Sequence, residues 1–305
     1  MRRSRKERPR RPVPCEPSPI VDAVAGYLTA NRIASTNLIY AALSFAPKRV
    51  SAAMRRMFDA HLIKRTFLSR EENDVVELDR KGWDYARQRG LVRPRDICLT
   101  SQTMREFHHA LGVASAIQAI KIGHAEAGVR FVSQGEIEAR FGVANVSLPF
   151  QLKGKAGEKL PDGAFVSTYA RGSIAYVLEY ETLAKPVRRS SLEQNSFLKT
   201  ALQYESVARL QPYQRGNSAS PLAFPELMYL VVAERQSRVD KMLDVLEQEN
   251  RKRTHFPLYK RMVFAVMPEK PRGVRYPTWY PDLFNAAWQG PNGRTFNLAT
   301  GMAEE

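Results

Sequence analysis

Three carboxylates inside one twenty-residue stretch give this chain its strongest hint of chemistry: Asp162, Glu179 and Glu181. Pro161-Asp162-Gly163 enters a run from Gly163 to Tyr169, and Ser173 to Glu181 forms a second run ending in Glu179-Tyr180-Glu181. Both runs are rich in apolar and β-branched residues, and Ala170-Arg171-Gly172 between them reads as a turn, so the pair is expected to be a hairpin. Alternation along a strand places Glu179 and Glu181 on one face. Asp162 and Glu179 are then expected to converge at one end of a sheet. Converging carboxylates suit Mg2+, which prefers hard oxygen ligands and keeps several waters. A metal at Asp162 and Glu179 would activate water against a phosphodiester. The plainer alternative is two unrelated carboxylates at exposed strand ends.

Other chemistries find little support. A GxxxxGK[ST] phosphate loop is absent, so ATP-driven chemistry is not expected. His108 and His109 are adjacent on a helical stretch and point about 100° apart, which does not make a chelating pair. Tyr176, Tyr180 and Tyr204 read as core or hairpin residues rather than nucleophiles. Cys15 and Cys98 stand alone, without zinc or disulfide spacing, which fits a reducing cytoplasm.

A second kind of chemistry lies near the N-terminus. Residues 47–61 read as a helix opened by Pro47, with Val50, Ala53, Met54, Met57 and Phe58 on one side. Lys48, Arg49, Ala52, Arg55 and Arg56 fall on the opposite side with Ser51 at its edge, and only Asp59 interrupts the positive charge. Long cations reach phosphates or guanine edges, and Ser or Ala permits close approach, so this face suits a major groove. The elements that must present it are legible on either side. Ile20 to Leu28 reads as one helix, and Asn37 to Leu43 as a second, capped by Ser35 or Thr36. After the third helix, Lys64 to Leu68 and Val75 to Leu78 read as two strands around a polar turn, and Asp79 to Arg89 as a closing helix. That order is expected to be a winged helix-turn-helix over residues 20–95, its wing carrying Lys64, Arg65 and Arg70. A winged helix used for protein contact remains the alternative.

The rest reads as a mixed α/β (α+β) arrangement over residues 101–267. A helix from Ser101 to about Ala127 is followed by a helical stretch from Ser133 to Phe141, a short strand at Val146 to Phe150, and a Gly/Lys loop at Lys153 to Lys159. After the hairpin come a helix from Leu192 to Leu210, a strand from Leu227 to Ala233, a helix from Arg238 to about Asn250 and a strand from Met262 to Met267. A mixed sheet with helices on both faces accommodates this order. Residues 268–305 are expected to be a Pro- and aromatic-rich tail, with Trp279 and Trp288 packing on the preceding domain or stacking on a partner.

The 305 residues hold 47 Lys+Arg against 31 Asp+Glu, a formal charge of +16 that calls for an anionic partner. Residues 1–14 carry seven cations and one acid, and the arm of residues 1–19 is punctuated by prolines, so a disordered tail and a DNA-contacting arm both remain open. With 44% apolar and 10% aromatic residues the chain can bury a core, which excludes wholesale disorder. No apolar run approaches the ~18 residues of a transmembrane helix, so no membrane partner is expected.

Pro161-Asp162-Gly163, Val177-Leu178-Glu179-Tyr180-Glu181-Thr182, Phe197-Leu198-Lys199 and Tyr204 resemble the restriction-endonuclease-like PD-(D/E)XK fold. Joined to the winged unit and the helix at Arg105 to Leu111, the arrangement over residues 20–267 resembles the replication-relaxation family of bacterial plasmids and integrative elements. The resemblance implies double-stranded DNA binding in replication, mobilisation or their control, with a relaxase or replication protein as a further partner and a homodimer as a possible assembly. It departs from the nuclease motif at Glu181, where that motif has a lysine. Lys199 would have to supply the charge from the next helix, and Glu136 would add a further carboxylate. The leading expectation is a sequence-selective DNA-binding protein with a non-catalytic nuclease-like domain and no cofactor. The alternatives are a Mg2+-dependent endonuclease or nickase using Asp162, Glu179, Glu181 and Lys199, and a protein-interaction adaptor.

Overall fold

A computed structural model describes residues 11–66, 75–92, 104–143, 145–183, 185–189, 191, 194–214, 226–253, 257–268 and 280–304. The chain is a mixed α/β protein with two compact units, the first ending at Ser115 and the second beginning at Ala116.

In the first unit the elements run α1 (Pro19–Asn31), β1 (Ile33–Ser35), α2 (Thr36–Ala42), α3 (Pro47–Asp59), β2 (Ile63–Thr66), β3 (Val75–Leu78) and α4 (Arg80–Gln88). Local chemistry sets the boundaries. Ser18, Ser35 and Asp79 each accept a backbone N–H at a helix start, and Pro19 and Pro47 occupy first turns, where a missing N–H costs nothing. The strands form a three-stranded antiparallel sheet in the order β1-β3-β2. Val21, Val24 and Leu28 of α1 and Val50, Ala53, Met54 and Met57 of α3 are buried. Asp22 ties α1 to α4, accepting from the Tyr85 hydroxyl at 2.6 Å and from Arg89 Nη2 at 2.7 Å. β1 escaped the sequence reading because three residues are too few to show alternation. Ahead of α1, residues 11–18 carry no regular structure, although the Val13 N–H donates to the Asp59 carbonyl at 3.1 Å.

The boundary between the units falls within α5 (Met104–Glu126). Then follow β4 (Arg130–Ser133), α6 (Gln134–Phe141), β5 (Leu148–Leu152), β6 (Lys155–Lys159), β7 (Gly163–Tyr169), β8 (Gly172–Glu181), α7 (Phe197–Gln214), β9 (Glu226–Ala233), α8 (Gln236–Arg251), β10 (Met262–Val266), α9 (Tyr280–Asn285), β11 (Trp288–Gln289), β12 (Thr295–Asn297) and β13 (Met302–Glu304). Eight strands make one mixed sheet, in the order β13-β12-β11-β10-β9-β8-β7-β4. β8, β9 and β10 are parallel to one another, and every other neighbouring pair is antiparallel. Ala175, Val177, Val231 and Phe264 share a core with α6, α7 and α8. Tyr176 stacks on Phe165, which meets His124 of α5, and His124 in turn meets Phe284 of α9. Helices therefore cover both faces, as the order of elements implied.

Two expectations are corrected. Lys153 to Lys159 is not a loop: Lys155–Lys159 is β6, paired with β5 through a turn at Lys153 and Gly154, both in the left-handed region. The ring of Phe150 lies over Gly157, where a Cβ would sit 2.8 Å from it, so the glycine that weakens strand propensity is needed for packing. Nor is 268–305 only a tail. Its described residues 280–304 supply α9 and three strands of the large sheet, and Leu283, Phe284, Trp288, Phe296 and Leu298 are buried, with the Trp288 indole N–H donating to the Leu283 carbonyl.

Candidate nucleic-acid interface and buried carboxylate cluster

α3 buries Val50, Ala53, Met54 and Met57 and exposes Lys48, Arg49, Ser51, Ala52, Arg55 and Arg56, so all six residues singled out on this helix lie on its solvent side. None of the four cations forms an ion pair among the described residues. Surface cations ordinarily sit near acids, and here four long side chains share one face with two small residues that let a groove wall come close. Lys64 and Arg65 differ. Lys64 Nζ lies 3.7 Å from Asp79, and the Arg65 guanidinium lies 5.5 Å above the Phe58 ring, so both cations are held by their own unit. Arg70 lies outside the described residues.

In the second unit, the hairpin brings the carboxylates to the ends of β7 and β8. Asp162 precedes β7, and one of its oxygens accepts the Tyr180 N–H at 2.9 Å across the pair. Glu179 and Glu181 point to the α7–α8 side, as alternation requires, and both are buried. They serve different ends. Glu181 is held by Lys185 Nζ at 2.7 Å and Arg238 Nη2 at 3.1 Å; Lys185 also donates to Thr200, and Arg238 to the Lys185 carbonyl. This network fixes the β8 end against α7 and α8.

Glu179 meets a different pair. A single oxygen, Oε1, accepts the Tyr204 hydroxyl at 2.5 Å and lies 2.8 Å from Lys159 Nζ, which sits 5.6 Å above the Tyr204 ring. Burial and then the neighbouring Asp162 charge push the Glu179 carboxyl up to about 7, against the opposing pull of Lys159 and Tyr204. The Tyr204 hydroxyl, itself fully buried beside Glu179, is held well above the ordinary tyrosine range. A carboxyl poised near neutrality can accept or release a proton at physiological pH.

Glu179 Oε1 is taken by an ammonium and a phenol, so a magnesium ion at Asp162 and Glu179 would have to be held through their other oxygens. A magnesium ion bonds oxygen at about 2.0–2.1 Å, and one placed on Glu179 Oε1 would share that oxygen with an ammonium and a phenol. Among the described residues no group of three or more His, Cys, Asp or Glu is arranged to hold a metal. Lys199, expected to supply the missing lysine, stands in the first turn of α7 with its N–H on Ser196 Oγ, while Lys159 is the cation at Glu179. Glu136 is spent in a capping box with Ser133, accepting both its N–H and its hydroxyl, so it adds no carboxylate to the cluster. In the sequence Lys159 reads as part of a loop and Tyr204 as core, and neither reading marks a partner of Glu179. The available signal was a lysine three residues before Asp162.

Elsewhere in this unit a buried histidine and serine meet without forming a site. His124 Nδ1–H donates to the Ile120 carbonyl at 2.8 Å, and Nε2 accepts from the Ser167 hydroxyl at 2.6 Å. Both residues are wholly buried, and burial depresses the imidazole to about 4. The pair is a neutral core contact.

No helix among the described residues is long and apolar enough to cross a membrane. No family model matches the chain, and no match to a curated protein was found. Among solved structures the chain is similar to that of the restriction endonuclease FokI, at 9% identity and a TM-score of 0.25, over 81% of this chain and 42% of that one. The chain thus spans less than half the length of that structure, and the functional reading rests on the chain's own residues.

Proposed function

We propose that the chain is a sequence-selective double-stranded DNA-binding protein whose first unit is a winged helix-turn-helix. The observation that carries this is the exposed face of α3, where Lys48, Arg49, Arg55 and Arg56 surround Ser51 and Ala52 and form no ion pair among the described residues. The order α1-β1-α2-α3-β2-β3-α4 with sheet order β1-β3-β2 supports the winged reading, with α3 as the recognition helix and the β2–β3 connection as the wing. The net charge of +16 supports an anionic partner over a protein-interaction adaptor. Titration of the full chain with duplex DNA tests this. Salt-sensitive binding that weakens in Arg55→Ala/Arg56→Ala is expected, and binding unchanged by that double substitution would sink the recognition-helix assignment.

The second unit is proposed to be nuclease-like and non-catalytic, serving partner recruitment or assembly. The capture of Glu181 by Lys185 and Arg238, and of Glu179 by Lys159 and Tyr204, supports this over the Mg2+-dependent endonuclease. Supercoiled plasmid incubated with Mg2+ or Mn2+ is expected to stay intact. Nicking that disappears in Asp162→Asn would establish the endonuclease instead. Action in plasmid or integrative-element replication, mobilisation or their control is supported by the resemblance carried by Pro161–Gly163, Val177–Thr182, Phe197–Lys199 and Tyr204.

A further inference from the structure

At the opposite end of the parallel strands from Glu179, the second unit holds a half-open cavity of about 420 Å³. It lies where β8, β9 and β10 begin, bounded by the β7–β8 turn and by the strands near the C-terminus. The distance along β8 from Ile174 to Glu179 is roughly 17 Å at strand rise, so the two places are separate. Arg171, Lys260, Arg261 and Arg294 line the cavity against one acid, Glu226.

Elsewhere in this unit, cations beside buried carboxylates are matched: Lys159 with Glu179, Lys185 and Arg238 with Glu181, Arg209 with Glu205, Lys252 with Glu249. Arg171, Lys260 and Arg294 make no ion pair among the described residues. Like charges around a concavity repel one another, and field lines focus there, so the arrangement is stabilised by an anion. Arginine forks and a lysine ammonium match phosphate oxygens. The cavity is too large for a phosphate alone, and much of its wall is apolar. Met302, one of four large hydrophobic side chains exposed among the described residues, stands at its rim at 48% exposure. Gly301 makes that rim possible: its φ of +64 turns the chain, and a Cβ there would strike the Tyr169 ring at 2.8 Å.

We propose that this cavity binds a nucleoside 5′-phosphate, its phosphate on Arg171, Lys260 and Arg294 and its base against the Met302 side. The same chemistry is offered by a free nucleotide and by the phosphorylated end of a DNA strand. Calorimetric titration of the full chain with deoxyadenosine 5′-monophosphate, deoxyadenosine, inorganic phosphate, and a short single strand with or without a 5′-phosphate separates the cases.

The monophosphate is expected to bind at least about tenfold more tightly than the nucleoside and than inorganic phosphate. Arg171→Ala and Lys260→Ala are each expected to weaken it about tenfold, the loss of one charge-assisted contact. Tighter binding by the 5′-phosphorylated strand than by the monophosphate would assign the site to strand ends, and the reverse order to free nucleotides; either supports the site. Inorganic phosphate or the unphosphorylated nucleoside binding as tightly as the monophosphate, or Arg171→Ala and Lys260→Ala leaving its affinity unchanged, would overturn it. Arg55→Ala/Arg56→Ala, in the first unit, is expected to leave nucleotide affinity intact, so failure of the DNA-binding reading and failure of this one are distinguishable. Glu226→Gln guards against a folding artefact: it removes the one acid and is expected to tighten binding.

Discussion

Replacing Arg55 and Arg56 by alanine removes half of the cations on the exposed face of α3 without touching the buried Val50, Ala53, Met54 and Met57. The consequence can be worked from the counterions each cation releases. On duplex DNA the logarithm of the binding constant falls with the logarithm of salt concentration with a slope of about −0.9 for each phosphate neutralised. If Lys48, Arg49, Arg55 and Arg56 each meet one phosphate, α3 supplies a slope of about −3.6, and the double variant retains about −1.8. Raising salt from about 50 to about 200 mM then costs about 150-fold in affinity through α3 in the wild type and about 12-fold in the variant. Contacts from the rest of the chain add equally to both proteins, so the difference in slope, about 1.8, is the quantity to measure. Fluorescence anisotropy on a labelled duplex, titrated at four salt concentrations between those limits, reads it directly. Ser51 and Ala52 stay in place, so the helix can still approach its groove. Parallel salt dependences with equal affinities would show that α3 faces no phosphates, whatever the chain binds elsewhere.

Other expectations test the framework that presents these groups. Gly82→Ala is expected to destabilise the first unit by about 2–3 kcal/mol, because a Cβ would run into the Leu62 carbonyl oxygen in the backbone; urea denaturation should show it. Arg238→Ala leaves Glu181 buried with Lys185 alone, and is expected to cost on the order of 3 kcal/mol in the same assay. Tyr204→Phe strips one of the two hydrogen-bond donors from Glu179 Oε1 and is expected to raise the pH at which this carboxyl ionises, followed by the carboxyl infrared band of the full chain.

The parts that could be read from sequence are those whose order is local. α3 announced itself because its apolar and cationic residues separate at the helical period, and the hairpin because two apolar runs flank Ala170-Arg171-Gly172. The missed parts depend on partners distant in sequence. β4 shows no alternation of its own and is fixed by pairing with β7, more than thirty residues later. β6 carries two lysines and Gly157 directly after a turn at Lys153 and Gly154, which argues against a strand until Phe150 is seen lying over Gly157. The same error hid Lys159, whose meaning comes from Glu179 on another strand. Residues 280–304 read as a tail because their strands are two or three residues long, and only the edge of an existing sheet makes such short strands stable.

Two buried groups of the second unit pull its acid stability in opposite directions, and their opposition can be taken apart. His124 has its folded value depressed from 6.5 to about 4, so between those limits the unfolded chain binds a proton that the folded chain refuses, and stability rises with pH. Glu179 has its value raised from 4.5 to about 7, so the folded chain keeps a proton that the unfolded chain releases, and stability falls as pH rises through that window. Across the overlap, about pH 4.5 to 6.5, the two contributions have opposite sign. Glu179→Gln removes the falling arm. Its stability, measured by urea denaturation of the full chain, is expected to gain on that of the wild type as pH rises from about 4.5 to 6.5, the histidine then acting without an opposing group. His124→Gln should do the reverse, losing stability over the same range. Groups away from these two sites titrate alike in variant and wild type, so the difference in profile reports each site with its immediate partners. A Glu179→Gln profile that runs parallel to the wild type would mean that Glu179 is ionised throughout, held as an ion pair by Lys159 against its burial. The description of that carboxyl as protonated through the acidic range would then have to be abandoned.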